Sequence, residues 1–302
     1  MKASNNTLLP VLALIVSTIG AASAIAFVKV SEVDATSTLM LRMFFAGGLT
    51  YAIAAWPLKN SQEIEKNNPM SKGATMGLLI LSSVVSTIDL LSAHWAVELT
   101  SIANTAILMN LSPIFVALLS YLFLNKKIGL YKLQALGLSI IGACFLVFDD
   151  NAMVEFSVQS MIGDLLAVNS ALFYAIYLLL LKSLRDYLSS HQIIIWNSLT
   201  CALLLVPVAL ISSSQILPTT LEGWIVIALL ALISQLLGHG LMAYALKHVD
   251  VTLACISTLA RPVVAILIGF FLFDEKLALS QCVGVVTVLA GIWLYSHLMA
   301  ET

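Results

Sequence analysis

Long apolar runs separated by short polar breaks dominate the chain. A helix that crosses the hydrocarbon core of a bilayer needs about 20 predominantly apolar residues. Applied along the sequence, that length predicts spans near 8–28, 36–58, 73–96, 101–124 and 130–148. A second set is predicted near 161–181, 192–213, 223–245, 252–272 and 279–299. The connections are short. The longest polar link, from about Lys59 to Lys72, contains Ser, Gln, Glu, Asn and Pro and reads as a surface loop. None of the links is long enough to hold a soluble domain.

The first span imitates a secretory signal, because Lys2 precedes an apolar run and Ala22-Ser23-Ala24 fits the small-x-small cleavage pattern. The apolar run continues beyond it through Phe27 and Val28, and cleavage would leave nine helices. The segment is therefore read as an uncleaved first helix. Basic residues then set the direction. With a cytoplasmic N-terminus, Lys2, Lys59, Lys66, Lys72, Lys126, Lys127, Lys132, Lys182, Arg185 and Lys247 fall inside. Only Lys29 and Lys276 fall outside, and Arg42 and Arg261 lie within spans. The acidic cluster Asp149, Asp150 and Glu155 is outside, with no Lys or Arg beside it. Both termini are expected on the cytoplasmic side.

Composition agrees with a membrane protein. Hydrophobic residues make up 60% of the 302 positions and charged residues 10%, with a mean hydropathy of +1.02. Soluble domains carry about a quarter of their residues as charged groups. The net charge of −2 and the lack of a basic run give no reason to expect nucleic acid. The four cysteines (Cys144, Cys201, Cys255 and Cys282) lie far apart in apolar stretches without a C-x-x-C spacing, which reads as packing rather than disulfide or metal chemistry.

The two sets of spans repeat one another. Asn110-Leu111-Ser112-Pro113-Ile114-Phe115-Val116-Ala117 aligns with Leu259-Ala260-Arg261-Pro262-Val263-Val264-Ala265-Ile266, the prolines 149 residues apart. At the same offset Trp95 meets Tyr244, Phe123 meets Leu272, Lys127 meets Lys276 and Gly142 meets Gly291. Five helices per copy is an odd number, so the second copy enters the membrane upside down. Inverted repeats recur among secondary transporters, where two copies of one packing can exchange conformations and open a central cavity to alternate sides.

Particular segments resemble the EamA-type family of the drug/metabolite transporter superfamily. Leu99-Thr100-Ser101-Ile102-Ala103-Asn104 through Leu111-Ser112-Pro113-Ile114-Phe115-Val116-Ala117-Leu118-Leu119 resembles that family's fourth-helix signature. Gly163-Asp164-Leu165-Leu166-Ala167, with Ser170-Ala171 and Tyr174-Ala175, resembles the opening of its second half. Arg42-Met43-Phe44 is similar to the Arg-Phe pattern of its second helix, and Phe273-Asp274-Glu275-Lys276-Leu277 to the acidic turn before its tenth. The sequence departs at Asn125-Lys126-Lys127, which lacks the acidic residue usual in the first-half turn. The resemblance implies an all-α membrane protein of ten transmembrane helices as two inverted five-helix repeats, at 1–150 and 151–302. It also implies secondary transport of metabolites, often amino acids or related compounds and commonly in the export direction.

Charge within a bilayer is costly, about 2.5–3.5 kcal/mol per residue on insertion scales, so intramembrane ionisable groups are candidates for function. Arg261 lies in the ninth span directly before Pro262, where a missing backbone donor loosens the preceding turn. A guanidinium there suits a substrate carboxylate or phosphate, the alternative being a structural ion pair. Asn110, in the corresponding turn of the first copy, is neutral. Asp89 in the third span is a candidate proton-coupling group or, alternatively, the static partner of Arg42 at a similar depth. His94 and Glu98 lie further out on the same helix.

His239, with Gln235 one turn away, is a candidate for substrate contact or proton coupling or for an interhelical hydrogen bond. Asn169 and Asn197, on the sixth and seventh spans, are candidates for substrate contact in the cavity or for interhelical hydrogen bonds. Trp95 and Tyr244 are candidates for gating the cavity or, more simply, belt aromatics. Pro113 and Pro262 are candidate bending points. Gly47-Gly48, Gly137 and Gly142 are read as packing positions. The sequence holds no nucleotide-binding P-loop, no His-Glu-x-x-His and no Gly-x-Ser-x-Gly.

The expected function is export of small polar metabolites, amino acids first among them, by alternating access with a proton as candidate coupling ion. Its partners would be the bilayer of a bacterial inner membrane and a small-molecule substrate, the chain acting as monomer or homodimer without catalytic residues, cofactor or metal. An uptake permease of the same fold is one alternative. An intramembrane enzyme acting on a lipid-like substrate through His94, Asp89 or His239 is the other.

Overall fold

A computed structural model describes residues 8–55, 72–100, 102–124, 129–147, 157–264, 267 and 279–300. The loop expected from about Lys59 to Lys72 lies, up to residue 71, outside the described residues, as do the acidic cluster at 149–155 and the turns at 125–127 and 273–277. The fold is all-α, a ten-helix membrane architecture in the predicted order. Its first segment is α1 (Leu8–Ala22) with α2 (Ala24–Lys29), followed by α3 (Ala35–Ala55) and α4 (Lys72–Leu99). The fourth is α5 (Ile102–Met109) with α6 (Ser112–Leu124), and the fifth is α7 (Leu130–Val147). Next come α8 (Val158–Leu184) and α9 (Ser190–Ser212). The eighth segment joins α10 (Leu221–Leu230), a π-helical stretch (Ala231–Gly240) and α11 (Leu241–Ala245). The ninth is α12 (Val251–Ser257), a 3-10 turn (Thr258–Ala260) and α13 (261–264), and the tenth is α14 (Leu279–Ala300).

Hydropathy predicts unbroken helices, and the structure departs from it where backbone chemistry intervenes. Both aligned prolines follow an interrupted turn. The N–H of Leu111 bonds the Leu108 carbonyl at 3.1 Å, just before Pro113, and the N–H of Arg261 bonds Thr258, just before Pro262. Proline cannot donate to the carbonyl four residues earlier, so the preceding turn tightens into three-residue bonding. The π-helical stretch has no counterpart in the hydropathy pattern.

Caps start the later helices. Ser189 and Gln192 form a reciprocal capping box at α9, the Ser189 N–H donating to Gln192 Oε1 at 2.9 Å. The Thr220 hydroxyl accepts from the Gly223 N–H at 3.0 Å at α10, and Asp250 accepts from the Thr252 N–H at α12.

The chain forms two compact units, each drawing on both halves of the sequence. The first comprises Met1–Thr87 and Leu180–Val249, the second Ile88–Leu179 and Asp250–Thr302. The first unit packs α3 along α9, and α1 against the π-helical stretch. Gly20 and Gly238 make the second of these contacts close, since a Cβ on Gly20 would lie 2.6 Å from the Ile233 carbonyl. The Ser17 hydroxyl donates to the Gly238 carbonyl there at 2.7 Å.

The second unit packs α7 along α14 and α6 against α12 around a core that includes Leu136, Ile256, Leu259 and Tyr295. Here the repeat becomes visible as symmetry. Gly142 lies against Thr287 and Val288, and its equivalent Gly291 lies against Ala135 and Ser139. Ser139 and Val288 are themselves 149 residues apart, so each copy offers its glycine to the other's matching residue. Cys201 and Cys255 are buried and Cys144 is half-buried, as packing residues would be, whereas Cys282 is exposed on α14.

Candidate functional site

The second unit gathers the charged residues that the sequence singles out. Asp89 on α4 is buried, and the Ser170 hydroxyl on α8 donates to its Oδ1 at 2.6 Å. One turn along α8 stands Tyr174, whose hydroxyl accepts from Arg261 Nη2 at 3.0 Å. The Arg261 guanidinium also lies over the Tyr174 ring, 5.4 Å from its centroid, a cation–π arrangement. Arg261 acts electrostatically on Asp89 without a direct ion pair between them. Two positions one turn apart on one face of α8 therefore engage an anion and a cation individually.

Beside this pair, Asn169 Nδ2 donates to Ser92 Oγ at 2.8 Å, a second polar link between α8 and α4. The Cys255 thiol donates to Ser112 Oγ at 3.7 Å, joining α12 to the start of α6. Asn110 occupies the interrupted turn before Pro113, and its buried Nδ2 makes no hydrogen bond. Arg261 Nε is likewise buried without a hydrogen bond. Buried donors are nearly always satisfied, so these two donors in one unit need an explanation. A bound acceptor group would supply one.

Asp89 accepts from Ser170 and feels the charge of Arg261, and Arg42 is a buried residue of α3 in the first unit. Trp95 is 42% exposed on α4, and His94 Nε2 lies 3.1 Å from Glu98 Oε1 further along it.

The remaining candidates belong to the first unit. Gln235 is buried within the π-helical stretch with no hydrogen bond to its Oε1, and His239 is half-buried near the end of that stretch. Asn197 is buried on α9, where its Oδ1 accepts from the Cys201 thiol at 3.9 Å. Tyr244 stands on α11 and contacts the His248 ring at 5.3 Å. Within the second unit the structure brings Asp89, Asn169 and Arg261 together, with Asn110 in the same unit, while His239, Gln235, Asn197, Tyr244 and Arg42 belong to the first unit. Sequence reasoning did not assign Ser170 and Tyr174 a role in the site. Their four-residue spacing beside Asn169 in an apolar helix is the signal that could have found them.

The sequence model of the EamA-like transporter family matches this chain twice, over residues 8–148 and 161–297. A transporter of Archaeoglobus fulgidus is 27% identical over 266 residues, covering 88% of this chain and 88% of its own length. The transporter YetK of Bacillus subtilis is 24% identical, over 83% of this chain and 78% of its own. The pseudopaline exporter CntI of Pseudomonas aeruginosa is 26% identical over 60% of this chain and 61% of its own. A solved crystal structure superposes with a TM-score of 0.78 over 98% of this chain and 97% of its own, at 15% identity, a likeness of fold.

Proposed function

The chain belongs to the EamA-like transporter family and carries small molecules across a membrane as a secondary transporter, and we propose that its cargo is a small zwitterionic metabolite of the amino-acid kind. The observation that carries this reading is the separated pair in the second unit. Arg261 offers a fixed cation with an unsatisfied Nε, and Asp89 offers a fixed anion. A substrate with a carboxylate and an ammonium group complements both, the carboxylate at Arg261 and the ammonium toward Asp89. Asn110, in the same unit, offers a further buried donor without a hydrogen bond, its neutral Nδ2.

Export is the proposed direction, and similarity to a protein named as a pseudopaline exporter favours it. Asp89 is the proposed proton-coupling group, since an intramembrane carboxylate that faces substrate can exchange one for the other. The two halves, 1–150 and 151–302, act as the inverted repeats of an alternating-access cycle, with Pro113 and Pro262 as bending points. The double match of the family supports that division. The basic residues favour cytoplasmic termini in a bacterial inner membrane. The family's members move molecules rather than transform them, which sets aside the enzyme reading.

Arg261→Leu tests the assignment. Transport in proteoliposomes is expected to be abolished with expression and thermal stability retained, and unchanged kinetics would remove Arg261 from the site. A thermal-shift screen of the purified protein against amino acids, nucleosides and their derivatives, followed by counterflow of the stabilising compound, identifies the cargo. Stabilisation by nucleosides alone would overturn the zwitterion proposal.

A further inference from the structure

At one end of the first unit, α3, α9, the π-helical stretch and α11 line a cavity of about 230 Å³. Ile53, Ile194, Leu236 and Leu241 make its apolar wall. Thr50 also lines it, but its hydroxyl is spent on the Ala46 carbonyl of its own helix at 2.7 Å, so that wall is drier than its residue types suggest. His191 and Tyr244 give the cavity a polar border.

Basic residues crowd beside that border. The Tyr244 ring contacts His248, which is exposed, as are its neighbour Lys247 and the lining residue His191. Arg185 is buried behind Tyr244, its Nε donating to the Ala243 carbonyl at 2.8 Å. Lys182 Nζ donates to the carbonyls of Leu246 and Val249, in the turn that carries Lys247 and His248. Partial burial and the charges of Lys247, Arg185 and Lys182 together hold the His248 imidazole below its ordinary pKa, which registers the positive field at this corner. Asp186, exposed next to Arg185, is the acidic group that offsets it.

An apolar wall calls for an apolar occupant, and the positive field of Lys247, Arg185 and Lys182 beside its polar border calls for an anion. One molecule abundant in a bilayer supplies both. We propose that this cavity binds an anionic phospholipid, an acyl chain lying against Ile53, Ile194, Leu236 and Leu241 and the phosphate held by Lys247, His248 and His191. Basic pockets between membrane helices bind acidic headgroups by the same electrostatics. Arg185 and Lys182 already donate to backbone carbonyls, so they supply field and position the turn, while the three exposed side chains supply contacts. The proposal does not depend on what the protein transports.

The test is lipid retention by the full-length protein in nanodiscs of phosphatidylcholine with graded phosphatidylglycerol, read by native mass spectrometry and by the thermal midpoint. The wild type is expected to retain phosphatidylglycerol preferentially and to be stabilised by it. Lys247→Ala combined with His248→Ala, both exposed positions, is expected to weaken that preference about tenfold. Leu236→Trp, which fills the cavity, is expected to remove it, and the surface pair decides the matter if this variant fails to fold. Equal retention of the two lipids by the wild type, or an undiminished preference in the surface pair, would overturn the proposal. So would equal stabilisation by inorganic phosphate alone, which would assign the corner to a soluble anion.

Discussion

Ser170 donates its hydroxyl to Asp89 at 2.6 Å, and in the first unit Ser17 donates to the Gly238 carbonyl at 2.7 Å. Asp89 and Gly238 are equivalent positions of the repeat, 149 residues apart, and Ser17 and Ser170 match to within about one helical turn. The same helix pairing therefore occurs in each unit, through a backbone carbonyl in one and a carboxylate in the other. The repeat explains the contact, while the charge at Asp89 is an addition that the packing does not require. Asp89→Asn keeps the size and the acceptor and removes only the charge. Substrate counterflow is expected to persist while accumulation driven by a proton gradient is lost. Undiminished accumulation would take Asp89 out of the coupling step.

Tyr174→Phe removes the acceptor for Arg261 Nη2 and leaves the ring beneath the guanidinium. A net hydrogen bond contributes about 1 kcal/mol, so substrate affinity is expected to fall about fivefold. Tyr174→Ala also deletes the cation–π face, and a further loss is expected. Binding isotherms on both variants measure the two steps, and equal affinities would show that the ring contributes nothing.

The glycine pair on α7 and α14 predicts a sharp contrast along one helix. A Cβ at Gly142 would lie 2.6 Å from the Val288 backbone nitrogen, which cannot move aside cheaply, whereas nothing lies within 4 Å of one at Gly137. Gly142→Ala is expected to cost about 1–3 kcal/mol through overpacking and to lower the thermal midpoint. Gly137→Ala should leave it unchanged or slightly raised, because alanine favours helix over glycine. Similar midpoints for the two variants would contradict the close crossing.

Stability should carry an acid-side dependence from the loop between α2 and α3. Hydrogen bonds from the Thr219 and Thr220 hydroxyls and their backbone N–H groups lower the Glu32 carboxyl from 4.5 to about 2. Burial alone would raise the nearby Asp34, but donors from the Ser37 backbone and the Ser213 hydroxyl outweigh it and hold that carboxyl down too. A depressed carboxylate stabilises fully above its unfolded pKa and loses that stabilisation as pH falls through the folded value. The advantage of wild type over Glu32→Gln is thus expected to be constant above about pH 5.5 and to shrink as pH falls from there toward about 2. Thermal midpoints of both proteins from pH 3 to 7 measure it, and a gap independent of pH would contradict the assignment.

The sequence alone determined the ten apolar segments, their order and the repeat, because bilayer thickness, helix rise and the backbone's need for internal hydrogen bonds leave a long apolar run little choice. It also marked Pro113 and Pro262 as disturbances, since a missing N–H is a property of the residue itself. It pointed to Asp89 and Arg261 because charge in lipid is conspicuous wherever it falls. It could not say that Ser170 engages one of those charges and Tyr174 the other, or that Gly142 and Gly291 each pack on the other copy's matching residue. It gave no sign of the π-helical stretch, whose Gly238 meets Ser17, 221 residues earlier in the chain. Those relationships depend on which helices become neighbours. That is decided by shape and hydrogen bonding between faces that are all apolar, where hydropathy is nearly blind.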